Sequence, residues 1–285
     1  MESGRASKTA LGVAIRRAAH QLADQPPVLD DPIALRLVVP GYARRMERAM
    51  HRVGRDSRAW MAVRSRFAED QLARSVAGGV AQYVVLGAGF DTFAYRNPHP
   101  GLRVFEVDFP ATQVAKRSIL AEAGIDEPPS LSFVALDLEH QTLAEGLAAG
   151  GFDATRAAFF CWLGVIPYLT LGAFRSTLES IAQLPAPSGV SFDYALRLET
   201  LPPPGRKAFR GLSRRVARAG EPFQLFFTPQ ELEAEVSRAG FQRCEQLDYV
   251  QLNQRYFTDR ADGLKLSAAV SARLATAWVE GASPR

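Results

Sequence analysis

Chemistry is offered first at a glycine turn and at the acidic ends of two apolar runs. Tyr83-Val84-Val85-Leu86-Gly87-Ala88-Gly89-Phe90-Asp91 reads as a strand that enters a Gly-x-Gly turn and continues into a helical stretch. Glycine is wanted where the backbone turns tightly and a ligand must approach with no Cβ in the way. Asp108 ends the next apolar run, Val104-Phe105-Glu106-Val107, about 20 residues beyond the glycines. A carboxylate at a strand tip can accept hydrogen bonds from both hydroxyls of a nucleotide ribose. Asp137, followed by Leu138, closes a third run over Leu131–Leu136, where a carboxylate or backbone group could face an adenine amine. Helix capping is the competing role for both acids.

The kind of nucleotide follows from what the turn lacks. A dinucleotide site carries a third glycine for close helix–strand packing and rests a pyrophosphate on the helix start. Thr92 occupies that third position, and Asp91 would set an anion where the pyrophosphate lies. S-adenosylmethionine has no phosphate and bears a sulfonium cation, so the turn suits a methyl donor better than NAD. An NAD-type oxidoreductase is the rival enzyme, and a non-catalytic ligand-binding or interaction protein is the third possibility. No catalytic His/Asp or Cys/His arrangement is evident, and no metal site is expected. His20 reads as a helix-surface residue; Cys161 and Cys244 read as buried free thiols without metal-ligand spacing.

Residues 8–75 are helical in texture, and residues 1–78 are read as an N-terminal helical extension. Asp30-Asp31-Pro32 marks a helix start within it. From residue 79 to 285, short apolar runs alternate with helical patterns at 83–86, 104–107, 131–136, 157–163, 190–194, 244–252 and 269–279. Such runs predict strands buried on both faces of a parallel, doubly wound sheet. Pro202-Pro203-Pro204-Gly205 opens a lid-like insertion near 201–221, and Thr228–Ala239 reads as a helix closed by Gly240.

With 34 Lys and Arg against 30 Asp and Glu, the net charge of +4 is small for the length. Arg16-Arg17, Arg44-Arg45 and Arg214-Arg215 with Arg218 read as solvated helix faces, so no nucleic-acid partner is expected. The stretch from 157 to 174 is uncharged, but Gly164, Pro167 and Gly172 break it, so no membrane partner is expected either. The first residues carry no apolar leader, which points to the cytoplasm.

Leu86-Gly87-Ala88-Gly89-Phe90-Asp91-Thr92, Phe105-Glu106-Val107-Asp108-Phe109-Pro110 and Asp137-Leu138 occur in order. Together they resemble the leucine carboxyl methyltransferase family, especially its bacterial branch of S-adenosylmethionine-dependent methyltransferases. Ser7-Lys8-Thr9-Ala10 and Asp31-Pro32 resemble that branch's N-terminal segment, and Arg64-Ser65-Arg66-Phe67 its arginine-bearing helix. Arg255-Tyr256-Phe257 with Asp262-Gly263-Leu264 resembles its closing motif. The resemblance implies a Rossmann-like class I methyltransferase fold: a seven-stranded, mostly parallel sheet with the helical extension and a lid. It also implies that Gly87 and Gly89 line the donor's methionine portion, Asp108 holds its ribose, and Asp137 and Leu138 flank its adenine. Arg64, assisted by Lys8, would pair with the methionine carboxylate.

The sequence departs from the family at two positions. Phe93 stands where the bacterial pattern has arginine. Leu163 stands where the leucine carboxyl enzymes have a glutamate after strand four, and no acid lies nearby in that segment. The expected reaction is O-methylation of a carboxyl or phenolic hydroxyl on a small hydrophobic acceptor, with a place in secondary metabolism. Trp162 after strand four, Tyr194 at the end of strand five, and Tyr256 are the expected pocket residues.

Overall fold

A computed structural model describes residues 8–38 and 53–281. The Arg44-Arg45 pair, Ser7 and the side chain of Lys8 lie outside the described residues. Helices α1 (Lys8–Ala23), α2 (Pro32–Val38) and α3 (Arg55–Ala77) lead into β1 (Gln82–Leu86). There follow β2 (Arg103–Asp108), α4 (Pro110–Glu122), β3 (Leu131–Ala135), α5 (Leu143–Ala149), β4 (Phe159–Trp162) and α6 (Leu171–Ala182). The chain ends with β5 (Gly189–Ala195), α7 (Pro203–Arg218), α8 (Pro229–Ala239), β6 (Arg243–Leu247), α9 (Tyr249–Tyr256) and β7 (Ala272–Trp278).

The seven strands lie in the order β3-β2-β1-β4-β5-β7-β6. Their pairings are parallel except for those of β7, which runs antiparallel to both β5 and β6. The chain steps outward from β1 in one direction and from β4 in the other. A crevice therefore opens between the carboxyl ends of β1 and β4, where ligands bind in open α/β sheets.

Strand alternation divides the core. Val84, Leu86, Phe105, Phe160, Trp162, Phe192 and Tyr194 pack with Phe174, Leu178 and Ile181 of α6 and with Leu232 and Val236 of α8. Tyr83, Val85, Val104, Phe159 and Cys161 face Ala68 and Leu72 of α3 on the opposite side.

Two expectations about elements change. No regular helix follows the glycine turn; a single 3-10 turn, Phe93–Tyr95, stands there. Asp91 Oδ1 accepts the Phe93 N–H at 2.8 Å and turns the chain back on itself. The vacated layer is filled by α1 and α2, whose Ala14, Ala18, Ala34 and Leu37 pack on Phe90 and on Leu120 of α4. The run at 244–252 splits because Asp248 accepts the N–H groups of Val250 and Gln251, ending β6 and starting α9. The N-cap at Asp31 is present, its Oδ1 accepting the Ala34 N–H at 3.1 Å ahead of Pro32. The uncharged stretch is β4, a 3-10 turn (Ile166–Tyr168) and the start of α6. Among the described residues no helix is long and apolar enough to cross a membrane.

His20 is fully buried rather than on a helix surface. Its Nε2 accepts the Val28 N–H at 2.9 Å, so Nδ1 carries the hydrogen toward Asp24 Oδ2, also 2.9 Å away. Arg58 of α3 grips the same carboxylate with bonds of 2.8 and 2.9 Å, latching α1 to α3. Burial pushes the Asp24 carboxyl up, but the bonds from Arg58 and His20 prevail and hold it at about 2, below the usual 3.8. A depressed folded-state value contributes stability above the unfolded value and loses it as pH falls through the folded one. Melting temperature should therefore drop between roughly pH 4 and pH 2 more steeply in the wild type than in Asp24→Asn. That variant should also be less stable by about 2 kcal/mol at neutral pH. Parallel melting curves of the two proteins across the acid range would overturn the latch.

Candidate functional site

The crevice between β1 and β4 begins at the two glycines. Gly87 (φ +64°) and Gly89 (φ +50°) both take the left-handed conformation that favours glycine. Space adds a second constraint. A Cβ on Gly87 would lie 2.3 Å from the Val165 side chain, and one on Gly89 would lie 3.1 Å from Ala10. The loop after β4 and the first turn of α1 thus close directly over the turn.

Asp108, at the tip of β2, ties the turn down. Its Oδ2 accepts the Gly89 N–H at 2.6 Å and its Oδ1 the Phe109 N–H at 2.7 Å. Burial raises its carboxyl above the usual range although both bonds favour the anion. Each carboxylate oxygen has a further lone pair, so the residue can organise the loop and still accept from a diol. Asp137 organises its own turn: Oδ1 accepts the Glu139 N–H at 3.0 Å and Oδ2 lies 2.9 Å from His140 Nδ1. Leu138 is half-buried at the edge of the core.

Arg64 reaches the end of β4 from α3 and is only 6% exposed. Its Nη1 donates to Asp193 Oδ2 at 3.3 Å, while Asp193 Oδ1 accepts the Gly164 N–H. The guanidinium lies against Gly164 (φ +73°), where a Cβ would meet Nη1 at 2.9 Å. Among the described residues, Nε and Nη2 of Arg64 have no hydrogen-bond partner. Those two nitrogens remain available to an anion entering the crevice, and a guanidinium can offer two of them side by side. The segment after β4 itself carries no acid, as its sequence shows. Asp193, on the neighbouring strand, brings one.

Further residues converge on the crevice that sequence reasoning missed. Arg16 of α1 donates from Nε to Ser57 Oγ at 2.8 Å. Burial and the like charges of Arg215 and Arg64 all lower its pKa. Burial, with the nearby Glu221 charge, pushes the Tyr168 hydroxyl up to about 12. The Tyr168 ring lies 5.1 Å from Phe223, which stacks 6.1 Å from Phe209 of α7. The underside of α7 is therefore aromatic beside the arginines, while its outer face is a shallow basic groove lined by Arg206, Lys207, Arg210 and Arg214.

Two of the three aromatic residues expected in the pocket, Trp162 and Tyr194, are core residues instead. Trp162 is fully buried in the core, stacked 5.7 Å from Phe174 of α6. Tyr194 is also fully buried, and its hydroxyl donates to Gln246 Oε1 at 2.6 Å. The Tyr256 hydroxyl donates to Asp70 Oδ2 at 2.9 Å. Asp70 is about 9 Å along α3 from Arg64. Asp91 is not a free anion either: Arg17 pairs with it at 3.0 Å, and Lys116 Nζ donates to its carbonyl at 2.6 Å. Arg17, read as a solvated charge, is buried and also pairs with Asp31. What replaces the third glycine is the buried Thr92, whose hydroxyl donates to Asp31 at 2.8 Å.

Residues 10–182 match the leucine carboxyl methyltransferase family. The Bacillus subtilis protein YktD, which carries the name of an S-adenosyl-L-methionine-dependent methyltransferase, is 31% identical over 93% of this chain and 95% of its own length. A Mycobacteroides abscessus relative with the same designation is 34% identical over 63% of this chain and 61% of its own. Among solved structures, a protein from Thermobifida fusca named as a methyltransferase superposes with a TM-score of 0.55 at 18% identity, covering 94% of both chains. A DUF574 family protein from Streptomyces avermitilis gives 0.55 at 17%, covering 92% of this chain and 96% of that one. The seven-stranded, mostly parallel sheet is that of the class I methyltransferases, as the resemblance implied. The chain belongs to the leucine carboxyl methyltransferase family and is an S-adenosylmethionine-dependent methyltransferase.

Proposed function

We propose that this enzyme methylates a carboxylate or phenolic oxygen of a small hydrophobic acceptor bound beneath α7. The observation that carries this reading is the Tyr168–Phe223–Phe209 patch beside Arg16 and Arg215. An aromatic wall next to cations suits an apolar body bearing an anionic group. On the donor side, Asp108 holds the ribose, Gly87 and Gly89 accommodate the methionine portion, and Asp137 with Leu138 flanks the adenine. Arg64, assisted by Lys8, takes the carboxylate. A cytoplasmic setting, a place in secondary metabolism, and the absence of nucleic-acid or membrane partners belong to the same proposal.

The bound donor supplies an electrophilic methyl group on a sulfonium. The protein's part is to align the acceptor oxygen behind that methyl and to exclude water. A carboxylate is already ionised and needs no base. With its hydroxyl held protonated at neutral pH, Tyr168 can donate a hydrogen bond to the acceptor but cannot take a proton from it.

Labelled methyl should pass to hydrophobic aromatic and aliphatic acids or phenols, and not to leucine-terminated peptides or RNA. Phe223→Ala should raise the acceptor KM about tenfold, from an aromatic contact worth roughly 1.5 kcal/mol, and leave the donor KM unchanged. Preferential methylation of peptide or RNA would overturn the acceptor class.

A further inference from the structure

We propose that Asp193 is the positioning residue of the donor site, holding the Arg64 guanidinium at the tip of β4 so that it can receive the methionine carboxylate. The proposal rests on the reading of this crevice as the donor site.

Asp193 interrupts an otherwise apolar strand end. Phe192 and Tyr194 turn toward the α6 core, and Asp193, between them, turns toward α3. It is 5% exposed, and carboxylates at that depth are found paired. Its oxygens are divided between two partners, Oδ1 to the Gly164 N–H and Oδ2 to Arg64 Nη1. One side chain therefore joins α3, the loop after β4, and β5.

The joint decides where the guanidinium can be. Gly164 leaves the space that the guanidinium fills, so Arg64 lies flat against the loop. The charges of Arg16 and Arg64 oppose each other across the crevice. Without a counter-charge, a long cationic side chain in that field would turn out to water. Asp193 supplies that charge at one corner of the fork. It leaves Nε and Nη2 without a partner among the described residues. An arginine fixed at one nitrogen is pre-organised, so less freedom is lost when an anion binds the others.

Two ligands separate positioning from general support. S-adenosylhomocysteine carries the amino-acid carboxylate, and 5′-methylthioadenosine lacks it. In calorimetric titrations Asp193→Asn should weaken S-adenosylhomocysteine about tenfold and change 5′-methylthioadenosine by less than about twofold. The donor KM should rise in step with that loss while kcat stays within about threefold. In an Arg64→Gln background, Asp193→Asn should weaken S-adenosylhomocysteine no further. Should the asparagine variant fail to fold, Asp193→Glu moves the anchor by one methylene and permits the same comparison. Equal loss for both ligands, or no loss for either, would overturn the positioning role. A wild-type protein that binds neither ligand would instead overturn the donor site itself.

Discussion

Arg64→Ala is expected to weaken S-adenosylhomocysteine by about 100- to 1000-fold, roughly 3–4 kcal/mol. A charge-assisted, two-pronged contact to a carboxylate is among the stronger interactions available to a side chain. Arg64 is placed to make one, because the side chain is mostly buried at the end of β4 and two of its nitrogens have no partner among the described residues. The same substitution leaves Asp193 without its counter-charge at 5% exposure, so the melting temperature should fall as well. Affinity and stability are separated by Arg64→Lys. Lysine keeps the charge beside Asp193 but loses the planar fork. It should recover most of the melting temperature while binding S-adenosylhomocysteine about tenfold more weakly than wild type. A folded Arg64→Ala protein with wild-type affinity would remove Arg64 from the donor site and return it to structural ion pairing.

The extent to which the site was legible follows from the range of its interactions. The meeting of Asp108 with the two glycines was legible because they stand at the ends of two adjacent paired strands, where turn and strand tip fall at fixed spacing. The bond from Gly89 to Asp108 is that spacing realised. Arg64 was legible only through resemblance, since nothing local distinguishes it from a surface helix charge. Asp193 was not legible. It is a single acid among apolar neighbours, and its partners come from α3 and from the loop after β4.

The misplaced aromatics show a different limit. Strand alternation sends successive side chains to opposite faces, and sequence does not say which face meets the ligand. Trp162 shares parity with Phe160 and so faces the α6 core. The aromatic residues that do approach the crevice, Tyr168 and Phe223, sit in a 3-10 turn and a loop, where no periodicity marks them. Asp91 was misjudged for a related reason. Its charge was read from its local position, and its partner Arg17 lies on a helix far back in the chain.

Asp108→Ala is the second large effect expected, a loss of about 2–4 kcal/mol or roughly 30- to 1000-fold in S-adenosylhomocysteine affinity. The side chain has two roles, and the variant removes both. It would lose the acceptor for the donor's ribose, and it would free the Gly89 N–H that holds the glycine turn. Asp108→Asn distinguishes them, because its amide oxygen can still accept one backbone N–H while its NH2 cannot accept from a hydroxyl. The asparagine variant should therefore melt closer to wild type than the alanine variant does, yet bind the ligand nearly as weakly. An S-adenosylhomocysteine analogue without the 2′- and 3′-hydroxyls should bind wild type and Asp108→Asn alike, since it has nothing to donate to the missing carboxylate. Titration gives a further check on the direction. Burial raises the Asp108 carboxyl, so its proton is taken up at a higher pH than for an exposed aspartate, and the protonated form accepts less well. Wild-type affinity should accordingly fall on mild acidification, in a pH range where Asp108→Asn shows no such slope. An asparagine variant that bound S-adenosylhomocysteine with wild-type affinity and the same pH slope would reduce Asp108 to a clamp on the glycine turn.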